Sequence, residues 1–299
     1  MANQIAKFKK YADLLDEVYQ NGAKTAVLES DATLAKQGAN ANEIIVPKLD
    51  MDGLGKYDRN SGYVDGSVVL KNETVEFNYD RGRKFSVDEM DDEETAGLAF
   101  GKLAAEFIRT KVIPEQDAFR FAKYSDLAGT KVSGTLAAGA DVLTALQTAI
   151  SAMDDAEVPS ENRHLFITPA LLIAAQNVDT TKSRDILGAF ASITKVPSAR
   201  FYTAIDLLDG KTGGEEKGGF KKASAGKDIN FLIIEKSAVL QYTKHNVSKA
   251  IPPKTTPTLT LGFSISASTA LRMYTKIKQQ VSICTTKHRG KNGNSRIYT

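Results

Sequence analysis

Two strand-like runs, NEIIVPKL (42–49) and SVVLKNETVEFNY (67–79), flank the connector DMDGLGKYDRNSGYVDG (50–66), which is rich in Gly, Asp and Asn. Hairpins turn in about two to five residues, so a connector of this length is functional or mobile. The second run is polar, with Val69, Val75, Phe77 and Tyr79 on one face. A two-stranded ribbon of this kind cannot bury enough surface to be stable alone. Any fold open to this chain must give the ribbon something to lie on.

The ribbon leads into YDRGRKFSVDEMDDEETAG (79–97), where the basic residues Arg81, Arg83 and Lys84 are followed by a run of carboxylates from Asp88 to Glu94. Beyond it, Phe100, Leu103, Ala104, Phe107 and Ile108 recur at helical spacing. Asp91, Asp92, Glu93 and Glu94 fall in the first turn, where carboxylates favour the positive end of the helix dipole. Pro114 starts or kinks a second helical piece through Phe119, Ala122 and Tyr124. From Glu93 to Lys123 the pair spans about 45 Å if nearly collinear, which is long for a compact domain. Past Gly129 the pattern turns α/β. Helices are expected over 141–153 and 169–176, a buried strand over 164–169, and strands over 230–235 and 238–245. Residues up to Asp209 and the Gly/Lys stretch 210–227 read as loops.

Chemistry is hard to find in this pattern. His164, His245 and His288 are widely spaced and no HxxxH or CxxC motif accompanies them, so no metal site is expected. Gly214 and Gly219 have P-loop-like spacing, yet Phe220 stands where a phosphate-binding lysine belongs, so the loop reads as solvated surface. The carboxylates at 88–94 are explained by capping and ion pairing rather than by a glycosidase pair. No aromatic platform recurs beside Arg81, Arg83 and Lys84, as single-strand binding needs. No cofactor and no catalytic residue are assigned. A net charge of +3 is too small to argue for nucleic-acid binding. The lone Cys284 excludes an internal disulfide. The N-terminal residues lack a continuous apolar core and do not read as a signal peptide, and no apolar run is long enough to span a membrane. Ile5, Phe8, Tyr11, Leu14, Leu15 and Val18 suggest an amphipathic arm over 5–20.

An arm, a ribbon seeking a partner, a long helix and an α/β unit without an active site describe a structural protein. The runs GLGKYDRNSGYVDGSVVL, DRGRKFSVDEMDDEETAGLAFGKLAAEFIRTKVIPEQDAFRF and QYTKHNVSKAI closely resemble the major capsid proteins of tailed double-stranded-DNA phages, which share the Hong Kong 97 fold. The resemblance covers roughly residues 1–255. It implies an α+β fold with an N-terminal arm (1–44), an extended loop (45–85), a spine helix (86–129), an axial domain (130–237) and return strands of a peripheral domain (238–260). The implied function is self-assembly of a shell enclosing DNA within the virion. The implied partners are further copies of this chain in hexamers and pentamers, a portal and a head-maturation protease, with nonspecific contact to packaged DNA and no membrane.

In such a fold the extended loop lies across a neighbouring subunit. Lys56, Tyr57, Asp58 and Arg59 in the loop, Arg81, Arg83 and Lys84 at its base, and Asp88, Asp91, Asp92, Glu93 and Glu94 are therefore expected at subunit interfaces. Exposed pairs contribute about 0–1 kcal/mol each, so they matter through repetition and reversibility. With only about 40 residues before the ribbon, a separate scaffolding protein is expected. Lys56 and Lys71 are conceivable cross-link donors, but no motif marks an acceptor, and no cross-link is expected. A nanocompartment shell of the encapsulin type shares the fold and is the alternative; an α/β hydrolase or transferase is the alternative of a different class.

The tail from 261 to 299 departs from the family. After Glu235 no acidic residue occurs. GFSISAST (262–269), IKQQ (277–280) and VSICTTK (281–287) are compatible with family-like segments in a neighbouring reading frame. A frame slip between Ile251 and Leu261 is therefore expected, with the tail forming no peripheral strands and Cys284 having no structural role.

Overall fold

A computed structural model describes residues 22–30, 36–37, 43–57, 59, 63–76, 78–88, 105–178, 180–251, 260–273 and 281–285. The arm over 5–20, Asp58, the carboxylates Asp91 to Glu94 and the helical pattern up to Ala104 lie outside these residues.

Among the described residues a 3-10 turn (Ala26–Leu28) precedes short β1 (Lys36–Gln37), β2 (Glu43–Met51) and β3 (Val68–Glu76), which pair antiparallel as the expected ribbon. β4 (Tyr79–Asp88) follows at once. A π-helical turn, Ile108–Val112, runs into helix α1 (Ile113–Leu127). Its wider turn falls directly before Pro114, which has no N–H to donate and whose ring crowds the preceding turn. Next come β5 (Thr130–Ser133), α2 (Gly139–Asp155), β6 (Arg163–Ile167), α3 (Pro169–Gln176), α4 (Thr180–Gly188), β7 (Ser192–Lys195), β8 (Ile205–Leu208), β9 (Gly219–Lys222), β10 (Ile229–Glu235), β11 (Val239–Ile251), β12 (Thr260–Met273) and β13 (Val281–Thr285).

Among the described residues, one sheet has the order β5-β13-β10-β6-β7 and another β11-β12-β4. In the first sheet, β6 and β10 are buried along their whole length. Successive side chains of a strand alternate faces, and the two cores follow that rule. Leu165, Ile167, Phe231 and Ile233 pack with Val142, Leu146 and Met153 of α2 and Leu172 and Ala175 of α3. Phe166, Leu232 and Ile234 face the other way, onto Phe121 and Tyr124 of α1, Leu28, Val196 and Phe201. The Phe121 ring meets those of Phe166 and Phe201 edge-on at 5.4 and 4.9 Å. Burying each such side chain contributes roughly 1.5–3 kcal/mol, so this sandwich of α1, sheet and α2–α4 is the stable body.

Two expectations are corrected. The stretch up to Asp209 and the Gly/Lys stretch hold α4, β7 and the antiparallel hairpin β8–β9. These elements are too short for periodicity to announce them. The tail also differs from expectation. The backbone of Thr260–Met273 is the middle strand of its sheet, paired with both β11 and β4, and Val281–Thr285, with Cys284, pairs with β10 and β5. The sequence of β12 carries a physical reason: Leu261, Phe263, Ile265, Ala267, Leu271 and Met273 alternate with small or polar residues at the strand period.

His164, in β6, has Nδ1 2.7 Å from Ser192 Oγ, while its Nε2 is buried without a hydrogen-bond partner. Burial lowers its pKa from 6.5, Lys236 pushes the same way, and Glu235 opposes them. The unfolded chain therefore takes up this proton at higher pH than the folded one. The contribution of neutral His164 to stability is complete above about pH 6.5 and is lost as pH falls through the lower folded value. Thermal melts of the unassembled chain should shift down between pH 7.5 and 5.5, and His164→Gln should flatten that dependence; identical slopes in both proteins would contradict this role.

Candidate assembly interface

The ribbon exposes what other elements hide. In its register Leu49 lies opposite Leu70 and Met51 opposite Val68, so these four residues share one face, two residues apart on each strand. All four are exposed, by 54, 65, 61 and 68 %. Exposed apolar residues continue into the connector with Leu54, Tyr57, Tyr63 and Val64, and the rings of Tyr57 and Tyr63 meet tilted at 46°, with centroids 4.9 Å apart. Contiguous exposed apolar surface of this kind marks a contact site. Asp52 orders the start of the connector by accepting a 2.8 Å hydrogen bond from the Ser67 N–H.

At the ribbon's base, charge is spent within the chain. Arg81 pairs through Nε with Glu115 of α1, which also accepts a hydrogen bond from the Tyr79 hydroxyl at 3.0 Å. The Arg81 Nη2 donates to the Leu208 and Gly219 carbonyls, at 2.6 and 3.3 Å. Arg83 donates to the Glu216 carbonyl at 3.0 Å. Lys56, Tyr57, Arg59 and Lys84 are exposed. Asp88 is placed by its backbone at the end of β4, opposite Thr260. Of the expected interface residues, the structure thus brings Arg81 and Arg83 together with the body, and it leaves Lys56, Tyr57 and Arg59 on the ribbon connector.

Behind this base lies a polar cluster that sequence reading missed. α1 is buried on nearly every side and carries Glu115, Gln116, Asp117 and Arg120 inside. Asp117, with no solvent exposure, accepts from the Lys24 and Thr25 N–H groups at 3.1 and 3.3 Å, from the Thr25 hydroxyl at 2.9 Å and from Arg200 Nη1 at 3.1 Å. Arg120 donates to Thr25 Oγ1 at 2.8 Å and lies 3.6 Å from Glu29. The Tyr124 hydroxyl donates to Gln241 Oε1. Burial holds that phenol protonated far above its ordinary range, against the pull of Arg120. Gln241 closes the circuit through its backbone, which accepts from Ser30 N–H at 3.0 Å and donates to Ser30 Oγ at 3.0 Å. One helix face thereby ties together residues 22–30, the loop carrying Arg200, and β11.

Among the described residues no group of His, Cys, Asp and Glu side chains is arranged to hold a metal, and no helix is long and apolar enough to cross a membrane. No protein-family profile matches the chain, and no curated protein matches it in sequence. Solved structures do match in fold. A chain of Mycobacterium phage Adephagia superposes with a TM-score of 0.57 at 14% identity, covering 89% of this chain and 90% of that one. The asymmetric unit of the bacteriophage PhiM1 mature capsid gives 0.57 at 10% identity, with 83% of each chain covered. A virus-like particle from Pyrococcus furiosus gives 0.51 at 12% identity, covering 93% of this chain and 99% of that one. The mixed helix-and-strand fold is that of phage major capsid proteins.

Breaking a buried ion pair from one side leaves the remaining charge and its donors uncompensated, at a cost of about 3–5 kcal/mol. Asp117→Ala should therefore lower stability in urea by about that amount, and should open residues 22–30 to trypsin at Lys24. A loss below about 1 kcal/mol, the level of an exposed pair, with Lys24 still protected, would show that Asp117 does not hold the parts together.

Proposed function

We propose that this chain is a major capsid protein that assembles with copies of itself into the icosahedral or prolate shell enclosing double-stranded DNA of a tailed phage. The observation that carries this reading is the solvent-exposed apolar stripe Leu49, Met51, Val68 and Leu70 on a ribbon too small to be stable alone, attached to a body with the fold of phage capsid chains. A neighbouring copy is the surface that meets every ribbon in a closed shell. On this reading residues 45–85 are the extended loop, α1 belongs to the spine, 130–237 form the axial domain around a capsomer centre and 238–260 return to the peripheral domain. Lys56, Tyr57, Asp58 and Arg59 would sit against the neighbour. Lys84, Asp88 and the carboxylates Asp91 to Glu94 would add weak, reversible pairs between subunits. A scaffolding protein, a portal and a maturation protease are the expected partners, contact with packaged DNA is nonspecific, and the product resides in the virion.

A nanocompartment shell is the second reading, supported by the match to the virus-like particle, of which 99% is covered. Packaging of DNA rather than protein cargo separates the two.

Met51→Asp with Leu70→Asp places carboxylates on the stripe without touching the body. The unassembled chain should keep its stability to within about 0.5 kcal/mol, as exposed substitutions do. Assembly should collapse, because each apolar contact of about 1.5 kcal/mol or more is worth at least about tenfold in association. Normal shells at normal yield in electron microscopy would refute the ribbon's role.

A further inference from the structure

Arg81 and Arg83 are two residues apart on β4 and so leave the strand on the same side. Both reach the β8–β9 hairpin. Arg81 Nη2 bonds the carbonyls of Leu208 and Gly219, which are the facing pair at the open end of that hairpin's loop. Arg83 goes further, into the loop itself. Its Nη2 bonds the Glu216 carbonyl, and its Nη1 lies between Gly210 and Gly218. A Cβ built on either glycine would stand 3.1 Å from that nitrogen, and both glycines have positive φ, at +73° and +62°. Only glycine combines this backbone with the room the guanidinium occupies.

The loop is built to keep that slot open. Asp209 accepts from the N–H groups of Lys211 and Thr212 at 2.8 and 2.9 Å and from the Thr212 hydroxyl at 2.6 Å. These bonds hold its carboxyl down to about 2. Glu215 N–H donates to the Thr212 carbonyl and Gly218 N–H to the Glu215 carbonyl, which completes the turn. Three of the four bonded partners named for the two arginines are thus backbone carbonyls of one hairpin, and the fourth is Glu115 on α1.

We propose that Arg81 and Arg83 form a two-pronged latch that fastens the ribbon's base to the β8–β9 hairpin and fixes the angle at which the ribbon leaves the body. The lever arm makes this consequential. A nine-residue strand is about 30 Å long, so a 10° change at the base moves its far end by about 5 Å. Lysine cannot replace arginine here, because a single ammonium cannot bond two facing carbonyls and a carboxylate in the fork geometry of a guanidinium. Under the capsid reading, the same angle sets the curvature with which neighbours join.

The angle is measurable without assembly. Spin labels at Leu54→Cys and Glu161→Cys, in a Cys284→Ser background, report the distance from ribbon tip to body in the monomer. The latched chain should give the narrower distance distribution, and R81K/R83K should broaden it by about 5 Å or more, the lever displacement above. Amides of 205–222 should then exchange about tenfold faster or more, the rate of a locally opened segment, while those of β6 and β10 stay unchanged. Should the double variant not fold, R83K alone carries the test, because Arg83 is exposed and, among the described residues, its hydrogen bond goes to the hairpin. An unchanged distance distribution overturns the latch. The dependence on the capsid reading is tested separately: latch variants should form shells of broader diameter. A broadened distribution with wild-type shell diameters rejects curvature control while leaving the latch standing, and wild-type chain that forms no shells with its scaffold counts against the capsid reading alone.

Discussion

A carboxylate with no access to water organises this chain. Asp117 sits inside a helix buried on nearly every side, where an unpaired charge costs several kcal/mol. It is tolerable only while Lys24, Thr25 and Arg200 surround it with donors. Those donors come from two distant stretches of sequence, and Arg120, Tyr124 and Gln241 extend the same circuit to β11. The helix is therefore a tie between separate parts, and its Phe121 and Tyr124 line one of the two apolar cores of the five-stranded sheet. Gln241 is fully buried among these groups, so β11 leaves the sheet unit in a fixed direction.

Against this rigid body the ribbon is the opposite case. Its stripe of Leu49, Met51, Val68 and Leu70 stays more than half exposed on its own chain. Weak individual contacts are useful to a closed shell, since subunits joined by them can detach and correct errors before closure. What a shell cannot tolerate is an ill-defined ribbon direction, and the arginine pair at the base supplies the missing constraint by bonding to backbone groups. Three of its bonds go to backbone carbonyls and one to the Glu115 carboxylate. The ribbon is thus firm at its root and unsatisfied along its length.

Much of this was legible from the residues. The helices at 139–155 and 169–176, the buried strands at 163–167 and 229–235, and the ribbon follow from period and turn chemistry alone. Asp117 and Arg120 were not legible, because charged residues ordinarily mark a solvated helix face and their partners lie some ninety residues away. The short strands β7, β8 and β9 have four residues each, too few for periodicity to register. Arg81 and Arg83 were read as pairing with carboxylates within or between subunits, while their carbonyl acceptors carry no sequence signature. β12 was legible in principle through its alternation of apolar and small residues, but reading the tail as frame-displaced obscured it.

The central claim is that the ribbon is left unsatisfied by its own chain and completed by a neighbour. Hydrogen exchange of the amides in 43–51 and 68–76, compared between dissociated chain and assembled particles, measures this directly. In the monomer those amides should exchange nearly freely, as expected of a marginal ribbon whose third strand, β1, is only two residues long, while β6 and β10 stay protected. In particles their exchange should slow by about a thousandfold or more, the scale of a locally stable element. Equal protection of the ribbon in monomer and particle would contradict the account.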